Sequence, residues 1–466
     1  MTQRLFGTDG IRAPFGSFPL DRPTVTALAV ELARILRASH PRPLVVLGGD
    51  PRDSTPEICR WLAAGLTAAG ARHVFVGVLP TPGIAWLARR LAAAAAISVS
   101  ASHNPHPDNG IKLIGGDGFK WSPEAEAELE ARLLQTPPPA VPAAARDLEV
   151  DDGARALYLD WLAASVPPAG LAGLKVVLDA ANGAASGLAA PLLRGLGAEV
   201  TSIHDRPDGR NINQGCGSTH PEVVAAATVE HGAALGVAFD GDVDRAILAD
   251  ESGAVRDGDA MLYLWARAVR RAGELEPAAI VATSMSNLGL ERALAGDGIA
   301  VVRCEVGDRA VVATMRARGI VLGGEQSGHL VHLGLTTTGD GLLTALQMAR
   351  LVAAAGEPLA RLLAGFQRYP QLLRNVRVPS KEPLERLPRV AAARRRVEER
   401  LGGDGRLVLR YSGTEPLARI MIEGPDEASI QRMADEIEHA IREDLEGTET
   451  RNADLEVRSP ELGAGS

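Results

Sequence analysis

The strongest constraint on the fold is a pattern that recurs along the chain: a short apolar run, a loop of Gly, Asp or Asn, then a helical pattern. Pro43 to Leu47 (PLVVL) leads into GGDPR and a helix expected around Pro56 to Ala69. Leu174 to Leu178 (LKVVL) leads into DAANG and a helix near Leu188 to Gly197. Leu235 to Phe239 (LGVAF) ends in DGDVDR, and Ala279 to Thr283 (AIVAT) ends in SMSN before a helix near Leu288 to Ala295. Runs this short, bounded by turn residues and alternating with helices, predict α/β units. The likeness between them has no fixed short period, which argues against a solenoid. Pro- and Gly-rich breaks near 135–144, 252–259 and 367–374 divide the 466 residues into four expected domains, 1–145, 146–253, 254–368 and 369–446. The last piece has strands at Asn375 to Val378, Arg406 to Tyr411 and Ala418 to Glu423. Its helical patterns lie near Glu382 to Arg400 and Asp426 to Glu443. The polar tail, 447–466, is expected to be disordered. The fold class expected is α/β: three similar α/β domains with mixed sheets and a smaller C-terminal α+β domain, four domains around a central cleft.

Composition narrows the function. Hydrophobic residues make up 46% and charged residues 23%, enough apolar material for packed cores and too little bias for a disordered or collagen-like chain. Acidic residues outnumber basic ones, 58 to 49, so no nucleic-acid partner is expected. Residues 1–10 hold no signal-like apolar stretch, and the most apolar window, Ile84 to Val99, is interrupted by Arg89 and Arg90. No membrane partner is expected. Cys59, Cys216 and Cys304 are far apart with no CxxC spacing, which fits a reducing, cytoplasmic setting. Only four of the cations are lysines, Lys112, Lys120, Lys175 and Lys381, and the first two fall close behind the first of the loops described next.

Four loops carry candidate chemistry. Ser100-Ala101-Ser102-His103-Asn104-Pro105 follows an apolar run, which in α/β sheets is the usual ligand position, and a serine there suits a nucleophile or phosphate carrier. The plainer reading is a Ser/Asn/Pro turn. Asp240-Gly241-Asp242-Val243-Asp244-Arg245 places three carboxylates at alternating positions after a strand. Hard oxygen donors suit Mg²⁺ and would otherwise repel one another. The alternative is a solvated acidic turn. Gly323-Gly324-Glu325-Gln326-Ser327-Gly328-His329 offers an acid, an amide, a hydroxyl and an imidazole to a polyhydroxylated or amino-bearing ligand. Arg410-Tyr411-Ser412-Gly413-Thr414, with Arg419 beyond, can cradle a phosphate through guanidinium, hydroxyl and backbone N–H groups. No GxxxxGK[ST] occurs and no GxGxxG opens a helix, which excludes a P-loop NTPase and disfavours a dinucleotide enzyme.

Taken in chain order, these motifs resemble those of the α-D-phosphohexomutase superfamily, most closely its phosphoglucosamine mutase branch, over residues 3–445. Phe6-Gly7-Thr8-Asp9-Gly10-Ile11-Arg12 is similar to the family's N-terminal motif, and Ser100 to Pro105 to its phosphoserine loop. The DGDVDR run resembles its metal loop, GGEQSGH its sugar-recognition loop, and Arg410 to Thr414 its phosphate loop. Asp208 to Asn213 with Cys216 to Thr219, and Val306-Gly307-Asp308-Arg309, also point to the glucosamine branch. Ala13 and Ala310 depart from the pattern, where glycine and an aromatic are more usual.

The resemblance implies an isomerase that interconverts D-glucosamine 6-phosphate and D-glucosamine 1-phosphate, supplying amino-sugar nucleotide (UDP-N-acetylglucosamine) and cell-wall precursors. Ser102 would carry the phosphoryl group, with a sugar 1,6-bisphosphate as intermediate and primer. Mg²⁺ would be held by Asp240, Asp242, Asp244 and the Ser102 phosphate. Arg245, Gly307, Asp308, Glu325 and Ser327 would bind sugar, and Arg410, Ser412, Gly413, Thr414 and Arg419 the phosphate not in transit. Lys112 is the first candidate for the proton of the attacking hydroxyl and His329 the second. Arg12 would be an electrostatic partner, and His103 would orient the loop or bind phosphate. As a base, Lys112 is expected to have a lowered pKa. The partner is then a phosphorylated amino sugar, with the chain a monomer or homodimer. A phosphomannomutase/phosphoglucomutase and an inactive phosphosugar-binding protein are the rival readings.

Overall fold

A computed structural model describes residues 5–7, 9–135, 147–412 and 415–456, with 446–456 described as backbone only. Four sheets occur among the described residues. The first holds β1 (Ile11–Pro14), β2 (Leu44–Gly49), β3 (Arg72–Val78), β4 (Ala95–Val99) and β5 (Asp108–Gly115), in the order β1-β5-β4-β2-β3. The second holds β6 (Lys175–Asp179), β7 (Glu199–Ile203), β8 (Leu235–Phe239), β9 (Ala246–Asp250) and β10 (Val255–Arg256), in the order β10-β9-β8-β6-β7. The third holds β11 (Ala279–Thr283), β12 (Ala300–Cys304), β13 (Leu322–Gly324) and β14 (Leu330–His332), in the order β12-β11-β13-β14.

One topology repeats three times. In each sheet the first strand of a parallel pair (β2, β6, β11) lies between its partner (β3, β7, β12) and a third parallel strand (β4, β8, β13). An antiparallel strand (β5, β9, β14) follows that third strand. The sheets are therefore mixed, and the recurring strand–loop–helix pattern of the sequence is this repeat. The inner strands β4 and β8 are buried along their whole length, which is why they read as unbroken apolar runs rather than alternating ones. In the first sheet Val45, Leu47, Ile97 and Leu113 pack in one core with the helices Arg22–Arg37 and Thr55–Ala68.

The chain divides into two compact units: Met1–Ser286 with Leu294–Gly365, and Asn287–Ala293 with Phe366–Ser466. The first unit carries these three sheets. The second has its own antiparallel sheet of β15 (Gln371–Arg377), β16 (Arg406–Tyr411) and β17 (Leu417–Glu423), in the order β15-β17-β16. One face of it packs Val376, Ala418, Ile420 and Ile422 against Val390, Val397, Ile437 and Ile441 of the helices Pro388–Leu401 and Glu427–Glu456. That last helix runs to Glu456, into the tail expected to be disordered from Gly447. Gly447 alone costs a helix only about 1 kcal/mol, and no proline follows before 457. Residues 457–466 lie outside the described residues. No described helix is long and apolar enough to cross a membrane.

Candidate active site

The serine, aspartate and glutamate loops of the first unit sit where the repeated topology puts them, at the ends of parallel strands, while Arg12 lies on β1 and Lys112 on β5. β4 ends at Val99 and releases the serine loop, β8 ends at Phe239 before Asp240, and β13 ends at Gly324 before Glu325. β5 returns beside β4 in a register that pairs Lys112 with Ser98.

Ser102 is wholly buried and holds φ at +52°, a left-handed conformation that an L-residue keeps only when its surroundings enforce it. The surroundings are explicit. Its N–H donates to Ser100 Oγ at 2.8 Å, and Ser100 Oγ donates to Asp50 Oδ2 at 2.6 Å. Its carbonyl accepts from Arg52 Nη2 at 3.1 Å and Asn213 Nδ2 at 2.9 Å. Arg52 is fully buried, pairs with Asp50 at 2.9 Å, and also reaches the carbonyls of Asn104, Pro105 and Asp108. A β-carbon on Gly241 would lie 2.5 Å from the Ser102 carbonyl oxygen, so only glycine lets the aspartate loop come this close. The result is that Ser102 Oγ donates to Asp240 Oδ2 at 2.6 Å.

Asp240, Asp242 and Asp244 are buried, and each offers an oxygen within 4.8 Å of the others. Val243, between the last two, also sits at positive φ (62°), a costly conformation for a β-branched residue that turns both neighbours inward. Burial, then repulsion from Asp244 and Asp242, pushes the Asp240 carboxyl far above the usual carboxylate range. Burial opposes ionisation of Asp244 too, but Lys112 and Arg245 overcome it and hold that carboxyl low. Asp242 Oδ1 and Asp244 Oδ1 are buried with no hydrogen-bond partner. Unmet carboxylate oxygens around a repelled Asp240 are a donor set that suits a hard divalent cation, so the residues present fit Mg²⁺.

Lys112 departs from expectation. Its ammonium lies 2.7 Å from Asp242, 3.0 Å from Asp244 and 3.6 Å from Asp9. Burial alone would lower its pKa, yet these three carboxylates outweigh both burial and Arg12 and raise it well above the ordinary lysine value. The expected lowering rests on the cationic surroundings of Arg12 and Mg²⁺; of the side chains around it, the three carboxylates outweigh Arg12. His103 goes the other way: burial, then Arg245 and Arg12, bring it down to about 4. The neutral ring accepts from Arg245 Nη1 at Nδ1, 3.2 Å away, and that nitrogen is 3.4 Å from Ser102 Oγ.

The third sheet supplies the ligand loop. Glu325 Oε1 accepts from the Gly307 N–H at 3.0 Å and Oε2 from Ser327 Oγ at 3.2 Å, and Ser327 is exposed. His329 is buried, and its Nε2 already accepts the Gly339 N–H at 3.2 Å, with Asp308 3.8 Å away. Asp308 is tied to the serine-loop domain through Lys120, whose ammonium bridges Asp308 and Asp9. Asp9 in turn pairs with Arg12, and Arg12 Nη1 donates to Asn104 Oδ1 at 3.0 Å. Arg12, His103, Lys112, Arg245 and the Asp240–Asp244 loop are thus one connected network around Ser102.

The matches to known proteins agree with this geometry. The chain matches the phosphoglucomutase/phosphomannomutase α/β/α domains I, II and III at residues 3–140, 156–253 and 257–369, and the family's C-terminal domain at 373–440. A phosphoglucosamine mutase of Solibacter usitatus is 44% identical over 445 residues, covering 96% of this chain and 100% of the relative. One from Cereibacter sphaeroides is 47% identical over 450 residues, covering 95% and 100%. The chain is a phosphohexomutase of the phosphoglucosamine mutase branch. A solved phosphoglucomutase/phosphomannomutase family protein of Burkholderia thailandensis superposes with a TM-score of 0.79 at 26% identity, covering 95% of this chain and 98% of that one.

The architecture of this phosphohexomutase is four domains, with mixed sheets in three and a smaller C-terminal one. In the smaller domain Arg410 on β16 stands directly opposite Arg419 on β17. Two cations facing each other across a ladder repel, an arrangement that an anion would relieve. Arg419 Nη2 reaches Ser412 Oγ at 3.3 Å and Glu415 at 2.9 Å, and Lys381 donates to the Ser412 carbonyl at 2.6 Å. Gly413 and Thr414, expected in the same phosphate loop, lie outside the described residues, as does Thr8.

Several residues of the network were not singled out from the sequence. Asp50 and Arg52 brace the serine loop, Asn213 grips it from the second domain, and Thr81 donates to Asp242 Oδ2 at 2.6 Å. The GGDPR run that holds Asp50 and Arg52 carried a signal, a charged pair directly after an apolar strand. Asn213 lies in the Asp208 to Asn213 stretch that resembles the glucosamine branch, but its grip on Ser102 is not readable from that motif; Thr81 carries no signal, because its partner is distant in sequence.

Proposed function

We propose that the protein interconverts D-glucosamine 6-phosphate and D-glucosamine 1-phosphate through a phosphoryl group carried on Ser102. The observation that carries the reading is the Ser102 hydroxyl, held in a strained backbone and aimed at Asp240 of a buried carboxylate trio. Bound there by Asp240, Asp242 and Asp244, Mg²⁺ would supply positive charge to the phosphoryl oxygens. The side chains around it do the rest. Arg52, Asp50 and Asn213 fix the backbone of the serine loop, so Ser102 meets the substrate hydroxyl without paying for reorganisation. Arg245 and Arg12 flank the serine loop and spread the negative charge of the transferring group. His103 is held neutral and orients the Arg245 guanidinium.

Glu325 and Ser327 read the sugar, the carboxylate pairing with an ammonium as readily as with a hydroxyl. Gly307 and Asp308 border that loop. Arg410, Arg419 and Ser412, with Gly413 and Thr414, bind whichever phosphate is not reacting. They recognise phosphate rather than a ring face, so they accept the 1,6-bisphosphate intermediate in either orientation. Of the two candidates for the proton of the attacking hydroxyl, Lys112 is paired with Asp242, Asp244 and Asp9, which favours its ammonium form and a role as a fixed cation, while the His329 Nε2 acceptor site is taken by a backbone N–H. The cytoplasm, where sugar phosphates are made and used, is the proposed compartment. Turnover of glucosamine 6-phosphate against mannose 6-phosphate and glucose 6-phosphate tests the assignment. Glucosamine phosphate should be preferred; faster turnover of mannose phosphate would move the protein to the phosphomannomutase branch.

A further inference from the structure

A second cluster of metal-ligating side chains lies in the second domain, outside the network around Ser102. Asp179 is the last residue of β6, His204 follows β7, and Cys216 precedes a short turn at Gly217–Thr219. β6 and β7 are adjacent and parallel with Asp179 opposite Ile203, so the strand ends bring Asp179 and His204 together. Asp179 and Cys216 are fully buried, and a ligand atom from each of the three residues lies within 4.8 Å of the other two. His204 Nδ1 is 3.2 Å from Asp179 Oδ2 but makes no hydrogen bond, although the atom is buried. A buried nitrogen at ion-pair distance from a carboxylate but with no hydrogen-bond partner, in a cluster that also holds a buried thiol, is the observation that asks for a ligand.

We propose that Asp179, His204 and Cys216 bind a borderline transition-metal ion, Zn²⁺ in its usual role. One nitrogen, one sulfur and one oxygen suit Zn²⁺ and are a poor set for Mg²⁺, which takes oxygen donors. The side chain of His204 is a third exposed, so a water reaches the ion from that side and completes four ligands. Binding breaks the Cys216 S–H bond, forms a sulfur–metal bond and releases one proton to solvent; nothing is oxidised or reduced. The cradle is already braced: Asp179 Oδ1 accepts the Ala181 N–H at 2.9 Å, Oδ2 accepts the Gly217 N–H at 2.9 Å, and the Asn182 N–H donates to the His204 carbonyl at 2.6 Å. These bonds leave lone pairs on the carboxylate for an ion.

The site has a structural consequence for the serine loop. Ala181 accepts the Asn213 N–H at 2.9 Å, and the Asn213 side chain donates to the Ser102 carbonyl. A β-carbon on Gly217 would lie 2.5 Å from the carbonyl oxygen of Phe239, the residue before Asp240. An ion that ties Cys216 and His204 to Asp179 therefore stiffens the loops on which both Asn213 and Asp240 rest.

The test is Co²⁺ titration of the full-length protein in saturating Mg²⁺, followed by near-ultraviolet and visible absorption. The wild type should take up one Co²⁺ per chain with a thiolate-to-cobalt charge-transfer band, and Zn²⁺ should abolish that band. Cys216→Ser should lose the band. His204→Ala should weaken binding by on the order of 100-fold or more, beyond the loss seen when only a supporting contact is removed. Asp242→Asn, which disables the carboxylate trio, should keep the band, so this site and the reaction assigned above fail separately. Circular dichroism confirms that the variants are folded. No charge-transfer band in the wild type, or a band that persists in Cys216→Ser, would overturn the site and leave Asp179 and His204 as a structural ion pair.

Discussion

Ser102 shows how much a single residue depends on what surrounds it. Its left-handed backbone is held by Arg52, whose five donors are spent on Asp50 and four carbonyls of the same loop. Removing the guanidinium leaves Asp50 buried without its ion pair. Arg52→Met should therefore cost about 3–5 kcal/mol in urea unfolding and lower the phosphorylated fraction of Ser102. A fully stable Arg52→Met variant would contradict the brace. Lys112 is the second case. With its ammonium form favoured by Asp242, Asp244 and Asp9, its proposed role is that of a fixed cation. Lys112→Met should lose on the order of 100-fold in kcat/KM, by about the same factor across roughly pH 6 to 9. If instead the wild-type rate rises with pH and the variant abolishes that rise, Lys112 is a base. The residue types at Ser102 and Asp240 to Asp244 were legible in the sequence because each stands at the end of an apolar run. The charge state of Lys112 was not, since Asp9, Asp242 and Asp244 meet it only in the folded chain.

At the scale of elements, several short strands are legible almost to the residue, but β15 begins at Gln371, four residues before the expected Asn375 to Val378 and inside the expected break at 367–374. β8 and β11, buried along their length, coincide with their apolar runs, and the half-buried β16 coincides with Arg406 to Tyr411. The last helix extends past the expected Asp426 to Glu443 pattern to Glu456, because the polar composition that predicts a disordered tail from Gly447 does not by itself stop a helix. Contacts between elements were not legible at all. Tyr158, in the helix Asp152–Ala164, donates to Asp340 Oδ2 at 2.8 Å, and Asp340 caps the helix Gly341–Ala355 through the Leu343 N–H. Burial pushes the Asp340 carboxyl up to about 6, although both hydrogen bonds favour its ionised form. Its folded-state pKa lies above the unfolded value, so ionising it costs stability as pH rises through about 6. The bond from Tyr158 matters most above that point. Tyr158→Phe should destabilise by about 1.5–3 kcal/mol at pH 8 and by less at pH 5. Equal losses at both pH values would show that Asp340 does not titrate in this window.

At the scale of the molecule, the proposed work is divided between two compact units. The serine loop, carboxylate trio and sugar loop belong to one, and the facing arginines of β16 and β17 to the other. Variants should separate the two parts. Arg410→Ala should raise KM for the sugar phosphate by about 10-fold or more while Ser102 still carries phosphate, since removing a charged contact to a bound anion costs on the order of 1.5–3 kcal/mol. A changed phosphoserine level with unchanged KM would place Arg410 elsewhere in the reaction. Chelation by EDTA should abolish turnover and Mg²⁺ should restore it; full activity in EDTA would remove the carboxylate trio from the mechanism. The three-fold repetition of sheet topology was legible as a recurring motif, whereas the Asp179–His204–Cys216 cluster was invisible to any spacing rule. The central claim is that Ser102 carries the phosphoryl group, and the intact mass of the protein before and after reaction with glucosamine 6-phosphate tests it most directly. Purified wild type should contain a fraction heavier by about 80 Da, the mass of one phosphate on serine. That fraction should persist through turnover, because the bisphosphate returns a phosphoryl group to Ser102, and Ser102→Ala should show neither the added mass nor measurable activity. Undiminished turnover by Ser102→Ala would contradict the account.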